Sequence, residues 1–362
     1  MDVEIAIRTL ASAGHDLPRE ALRWALDHWD GAAPDLLGVL ERFADGTDRS
    51  EAAVGAAFFI LHLAAERRET RAFAPLCRLL RDPEALEEVL GDGVTTTLKR
   101  ILISTYDGDL EALKGVIEAE EVDEYARAGA LEVLAYLAAT GRVAREEAEA
   151  YLLRLHDTLR PQHESFVWYG WTSAVALLGL EAMSDVVRRA FGRGLIDPMV
   201  TNYDLFRRDL GRTLADPERM AGFRYDGIGP LEDAIGELSG WYAFSDVAKR
   251  DRARPAAREV MAPERPPQGP AVNPYKGTVR NSVYGRAVEP QPAMALVKRS
   301  PKRTANWALA IAHSPGGILH SFSARFKTRN RSFIAASSVG KWPLARTARR
   351  SLELSASMAF VV

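Results

Sequence analysis

At 362 residues the chain has room for two average domains or for one elongated repeat array. With 47% hydrophobic and 27% charged residues it has the composition of a globular protein, and its single cysteine, Cys77, excludes an internal disulfide, a CxxC redox pair and a zinc ribbon. The net charge of −2 conceals an asymmetry: residues 263–362 hold 16 Lys and Arg against three acids, Glu264, Glu289 and Glu353, and the rest of the chain is acidic.

The N-terminus, "MDVEIAIRTLASAG", opens with acids and lacks the basic start of a secretory signal. The longest apolar run, "AAVGAAFFILHLAA" over 52–65, contains His62 and is too short to cross a bilayer. Both features predict a cytoplasmic protein with no membrane partner.

Through the first 200 residues apolar positions recur every three or four, the period of helices rather than strands. "EAAVGAAFFILHLAAERR" (51–68), "YARAGALEVLAYLAAT" (125–140) and "AREEAEAYLLRLHDTL" (144–159) are rich in Ala and Leu and poor in β-branched residues. Breakers fall where helices should stop, at Gly91, Gly141 and Pro161. Capping residues fall where they should start, at Ser50, at Asp82 before Pro83, and at Asp109.

The predicted helices come in pairs, starting at about 51, 94, 125 and 166. Spacings of roughly 31 to 43 residues belong to two-helix solenoids, whose units bury their apolar faces only by stacking. The expected fold is an all-α solenoid of stacked helix pairs. Cys77 lies in "RAFAPLCRLLRD", where Phe73, Leu76 and Leu80 share its helical face, and is expected to be a buried structural thiol.

"RETRAFAPLCRLLRDPEAL" resembles the second half of a HEAT-like repeat, with an Arg-Ala lead-in, Pro75 in the helix start, a Leu-Leu pair and a closing Asp-Pro. "ILISTYDGDLEALKGVIE", "VDEYARAGALEVLAYLA", "SFVWYGWTSAVALLGLE" and "FGRGLID" together resemble a bacterial family of unknown function, over residues 1–215. The resemblance implies an all-helical HEAT-like domain and brings no assigned activity. Members often carry a C-terminal SEC-C zinc motif; the matching region here, "YKGTVRNSVYGRAV" (275–288), has no cysteine.

Residues 216–253 are expected to form a helical cap on the solenoid, with Trp241, Tyr242 and Phe244 packed onto the last pair. Six prolines in 254–277 predict an extended linker. Residues 278–362 are basic and lack a clear period. Three readings stay open for them: a disordered tail that binds nucleic acid or another polyanion, a disordered tail without a dedicated partner, and a segment translated out of its ancestral frame.

No phosphate loop, HExxH, GxSxG or EF-hand pattern occurs, so no catalytic, cofactor or metal residues are predicted, and the chain is expected not to be an enzyme. In "TYDGDLEAL", Asp107 and Asp109 flank Gly108 and suit a cation, although a turn followed by a helix cap explains them more simply. The aromatic cluster "SFVWYGW" divides on a helical wheel. Trp171 centres a stripe of Val167, Ala174, Val175 and Leu178, Trp168 lies at its edge, and Tyr169 faces away. Trp168 and Tyr169 are therefore the candidate partner-facing residues. The function expected is a protein–protein interaction scaffold for a protein or peptide. An enzyme or small-cofactor binder using the solenoid groove is the alternative.

Overall fold

The computed structural model describes residues 1–253, and the proposed linker and basic tail lie outside the described residues. Among the described residues there are seventeen α-helices, three short 3-10 turns and no strand. Three helices open the chain: α1 (Val3–Ala11), α2 (Arg19–Asp27) and α3 (Trp29–Ala44). The predicted pairs follow as α4 (Glu51–Glu66) with α5 (Phe73–Leu80), α8 (Leu98–Thr105) with α9 (Leu110–Glu118), α10 (Glu124–Ala139) with α11 (Arg145–Thr158), and α12 (Phe166–Leu177) with α13 (Ser184–Gly192). Two short helices, α6 (Pro83–Leu90) and α7 (Gly93–Thr96), stand between the first and second pairs. The chain continues through α14 (Tyr203–Ala215), α15 (Ala221–Asp226), α16 (Ala234–Ser239) and α17 (Asp246–Ala253).

Local chemistry sets these boundaries. Ser50 Oγ accepts from the Ala53 amide at 3.2 Å, Asp82 from Ala85 at 3.1 Å and Asp109 from Ala112 at 2.9 Å, each satisfying a first-turn N–H that has no helical partner. Pro83 occupies the first turn behind Asp82, where a missing N–H costs nothing. The expected helix beginning near 94 is split at Thr97. The Thr95 and Thr96 hydroxyls donate back to the Asp92 carbonyl, a local bond that competes with helix continuation.

First members of successive pairs form one row: α4 packs on α8, α8 on α10, α10 on α12 and α12 on α14. Second members are joined by α5 against α9 and by ion pairs from Lys114 to Glu147 (2.9 Å) and Arg154 to Glu118 (3.4 Å). Polar links repeat at the length of one unit. Lys99 reaches Glu132 at 2.8 Å across 33 residues, and Ser173 reaches the same carboxylate at 2.7 Å across 41. Arg127 donates to the Arg160 carbonyl across 33 residues, and Arg142 to the Ile103 carbonyl across 39. Stacked pairs with links of one-unit length give the solenoid-like packing that the spacing predicts.

The closest approach in the row is between α10 and α12. A Cβ at Gly170 would come within 2.6 Å of both Cβ and the carbonyl oxygen of Ala128. Trp171 is fully buried and donates its indole N–H to the Leu152 carbonyl at 2.8 Å, tying α12 to α11 of the preceding pair. Trp171 is therefore core, as its place in the stripe predicts.

Residues 216–253 depart from the expected cap. The segment packs α15 on α12 and α14, then turns back along the row, and α16 reaches α4 of the first pair. Trp241 meets Phe58 edge-on at 5.7 Å, and Phe244 lies 6.0 Å from Phe59. These two aromatics thus pack on the first pair, not the last. Tyr242 is exposed and donates to Asp251 at 2.7 Å. The physical reason lies in α4: every residue from Ala53 to Ala65 is buried, and an apolar helix of that kind needs cover on more than one side.

His62 sits in this covered zone. Its Nδ1 pairs with the Phe58 carbonyl at 2.8 Å and its Nε2 with the Thr97 hydroxyl at 3.0 Å, with the Trp241 ring 6.1 Å away. The carbonyl can only accept, so Nδ1 carries a proton and donates to it, while Nε2 pairs with the Thr97 hydroxyl. Burial pushes its pKa down from 6.5 to about 4.

Two predictions follow from this packing. Gly170→Ala should lower the unfolding free energy by about 1–3 kcal/mol, while Gly211→Ala, with open space around its Cβ, should raise it by about 0.5–1 kcal/mol. Denaturant titration reads both, and a Gly170→Ala protein as stable as wild type would contradict the close contact. For His62, the unfolded chain takes up its proton near pH 6.5 and the folded chain only near 4. Its contribution is complete above 6.5 and falls as acid crosses that window, by about 2 kcal/mol between pH 7 and pH 5. His62→Gln should remove that part of the slope; an unchanged pH profile would contradict the buried neutral ring.

Candidate functional site

The returning segment binds the helix row through its backbone. Residues 228–233 carry no helix, and there the Leu231 amide donates to Ser104 Oγ at 2.9 Å while Arg68 donates to the Leu231 carbonyl at 2.7 Å. Arg68 also pairs with Glu232 at 2.6 Å, and the Ala234 amide donates to Glu66 at 2.7 Å. Arg100 forms an ion pair with Glu237 and reaches the Pro230 carbonyl at 3.4 Å. Ile228, Leu231, Ala234 and Leu238 are buried beneath this polar frame. Glu66 at the end of α4, Arg68 just after it and Ser104 of α8 thus grip main-chain groups of a non-helical segment while apolar residues fill the space below. Helical repeats recognise peptides with the same chemistry.

A second feature lies at the root of this arm. On α8, α10 and α12, Lys99, Glu132 and Ser173 form a connected chain across the helix row. Burial opposes the Lys99 charge, but the Glu132 carboxylate outweighs it and holds the ammonium above its usual range. Asp226, at the end of α15, faces this chain. Burial first, and then the Glu132 charge, push its carboxyl up to about 7, with Lys99 acting against them. The Tyr169 hydroxyl is pushed well above its ordinary value of 10, by burial first and then by Glu132, Asp226 and Asp209. Tyr169, Ser173 and Asp226 border a narrow, mostly apolar cleft between α12, α14 and α15 with about 20 Å³ of internal space, enough for a water.

The residues singled out from sequence divide as follows. Trp168 is fully buried, donates to the Pro161 carbonyl at 2.8 Å and meets Trp171 edge-on, so it offers no partner surface. The wheel misplaced it because α12 is enclosed by neighbours on several sides, not one. Tyr169 is half-buried, packs on Phe166 at 5.0 Å and lines the cleft. Asp107 accepts from the Asp109 amide at 2.8 Å and Asp109 caps α9, which is the turn-and-cap arrangement. Cys77 is buried, and burial, aided by Asp107 and Asp109, pushes its thiol up to about 12.

Lys99, Glu132, Asp209, Arg212 and Asp226 were not visible as a set, because the first and last are separated by most of the repeat array. One signal was available: Glu132 is a lone charge inside "AGALEVLAYLAA", a place where an unpaired carboxylate is costly. Among the described residues no group of three or more His, Cys, Asp and Glu side chains is arranged to hold a metal ion. No helix among them is long and apolar enough to cross a membrane.

Residues 1–245 match the family described as "Protein of unknown function (DUF1186)". The match runs beyond residue 215, where the resemblance in the sequence ends, and so includes α15, α16 and the aromatics that follow. An uncharacterised protein of Chlamydia trachomatis serovar D is 28% identical over 200 residues, covering 54% of this chain and 79% of its own. An uncharacterised protein of Chlamydia muridarum is 27% identical over 200 residues, covering 54% and 80%. No solved structure matches. With its stacked helix pairs and a family match across the row and the returning arm, the chain belongs to the DUF1186 family of proteins of unknown function.

Proposed function

We propose that this protein is an interaction scaffold whose α4–α8 face binds an extended peptide of a protein partner, and that its own residues 228–241 occupy that face as an intramolecular ligand. The observation that supports the reading is the grip on Leu231, whose amide and carbonyl are both held by side chains, Ser104 and Arg68. Backbone recognition of this kind gives affinity without fixing a sequence, while the apolar positions give selectivity. A partner suited to the face would present apolar residues spaced like Leu231, Ala234 and Leu238, with acids to meet Arg68 and Arg100, as Glu232 and Glu237 do here.

Binding rather than catalysis is the reading that the grip on Leu231 supports, and two of the reactive side chains, Cys77 and His62, are held quiet. The Cys77 thiol is pushed up to about 12 and the enclosed His62 down to about 4, so neither is poised for chemistry near neutral pH. Tethering also makes the arm a strong competitor, since a linked segment acts at millimolar effective concentration.

A labelled peptide spanning residues 226–244 tests the proposal. Full-length protein carrying Leu231→Asp and Leu238→Asp should bind it at least about tenfold more tightly than wild type, because the tethered competitor is released. Adding Arg68→Ala should abolish the gain. A helical, cooperatively melting double variant that ignores the peptide would contradict the proposal, and so would a double variant that no longer folds, since the arm would then be core and not ligand.

A further inference from the structure

Trp241 is held differently from the tryptophans of the core. Trp29 donates its indole N–H to Glu69 at 3.2 Å, Trp168 to the Pro161 carbonyl at 2.8 Å and Trp171 to the Leu152 carbonyl at 2.8 Å, so those three rings are tied into the fold. Trp241 makes no such bond among the described residues and is only half-buried. Ring contacts alone hold it, and another indole could make the same contacts.

The seat beneath it is built by α4. Phe58 and His62 stand one turn apart on one helix face with 4.6 Å between ring centres, and Phe59 meets Phe58 edge-on at 5.0 Å. All three are buried. Trp241 lies 5.7 Å from Phe58 and 6.1 Å from His62, with interplanar angles of 68° and 86°, so one indole makes edge-to-face contact with two rings. Phe244 closes one side, 6.4 Å from Phe58 and 6.0 Å from Phe59. An aliphatic side chain fills part of this space but offers the rings no π face. A cation is disfavoured, because the nearby Arg100 charge opposes a positive charge on the same imidazole.

We propose that the Phe58, Phe59 and His62 seat on α4 is the specificity pocket of the peptide-binding face, and that the partner segment fills it with a tryptophan in place of Trp241. The inference rests on the peptide-binding reading and adds the residue that the partner must carry. The arm supplies the spacing. Leu231 is gripped through its backbone, Asp233 caps α16 by accepting from the Gly236 amide at 2.7 Å, and Trp241 follows that short helix. A matching partner presents a non-helical run, a short helix capped by Asp, and then the tryptophan. Aromatic anchors seated in desolvated pockets carry most of the affinity in interfaces of this kind.

Full-length protein carrying Leu231→Asp and Leu238→Asp is titrated with labelled peptides of residues 226–244, either native or carrying Trp241→Ala or Trp241→Phe. The Trp241→Ala peptide should bind at least about tenfold more weakly than the native one, and the Trp241→Phe peptide should lose no more than about fivefold. Equal binding of the native and Trp241→Ala peptides, with Arg68 still required, would overturn the pocket and leave the backbone grip standing. Binding of no peptide would overturn the peptide-binding reading and this inference with it. A second measurement needs no released arm: full-length Trp241→Ala is melted with 3-methylindole and, separately, with cyclohexanol at the same concentration. The indole should raise its melting temperature by about 3 °C and leave wild type unchanged, while cyclohexanol gives less than half that shift. Equal shifts in variant and wild type, or none in the variant, would overturn a seat shaped for an indole.

Discussion

A helix that is apolar on every side must be covered on every side. In α4 the residues from Ala53 to Ala65 are all buried, and all but His62 are apolar. One layer of neighbouring helices covers part of such a cylinder, and at about 25 cal/mol per Å² an uncovered remainder would be a large penalty. The first-helix row therefore needs a second layer. The chain provides it by sending residues 216–253 back across α12, α14, α8 and α4 instead of continuing the stack. Other features depend on that choice: the neutral burial of His62 beneath Trp241, the grip of Arg68 and Ser104 on Leu231, and the enclosure of Lys99, Glu132 and Asp226 at the root of the arm.

The enclosure has an electrostatic consequence. Charges in an apolar row are tolerated only when partnered. Lys99, Glu132 and Ser173 satisfy one another across three successive units, so the chain of contacts also fixes the register of α8, α10 and α12. Asp226 arrives from the arm as a further acid beside that chain, and burial raises its carboxyl into the neutral range. The unpartnered Thr213 hydroxyl lies around the same cleft. A row built for apolar contact thus holds one polar island, placed where the returning arm begins.

Much of the fold was legible in the sequence because its signals are local. Caps at Ser50, Asp82 and Asp109 and glycines such as Gly141 mark helix ends by short-range hydrogen bonding and backbone geometry, and the pair spacing follows from them. Gly170 marks the close approach of α10 to α12 only in the folded chain. The direction of the arm could not be read. Trp241 and Phe244 are equally apolar against any neighbour, and nothing local distinguishes the last pair from the first. The candidate site failed for the same reason: Lys99, Glu132, Asp209 and Asp226 meet only through stacking, whereas the visible cluster around Trp168 was filled by core packing.

The account stands or falls on where residues 228–241 lie. Arg100 of α8 and Glu237 of α16 form an ion pair in the folded chain, far apart in sequence and joined only by the returning arm. In a Cys77→Ala background, Arg100→Cys with Glu237→Cys should be joined within one monomer by a short thiol-to-thiol crosslinker that spans the reach of the two removed side chains, while Arg188→Cys with Glu237→Cys should not. Failure of the first pair to close, or closure of the second at a similar rate, would mean that the arm caps the last helices after all and that the α4–α8 face is covered in some other way.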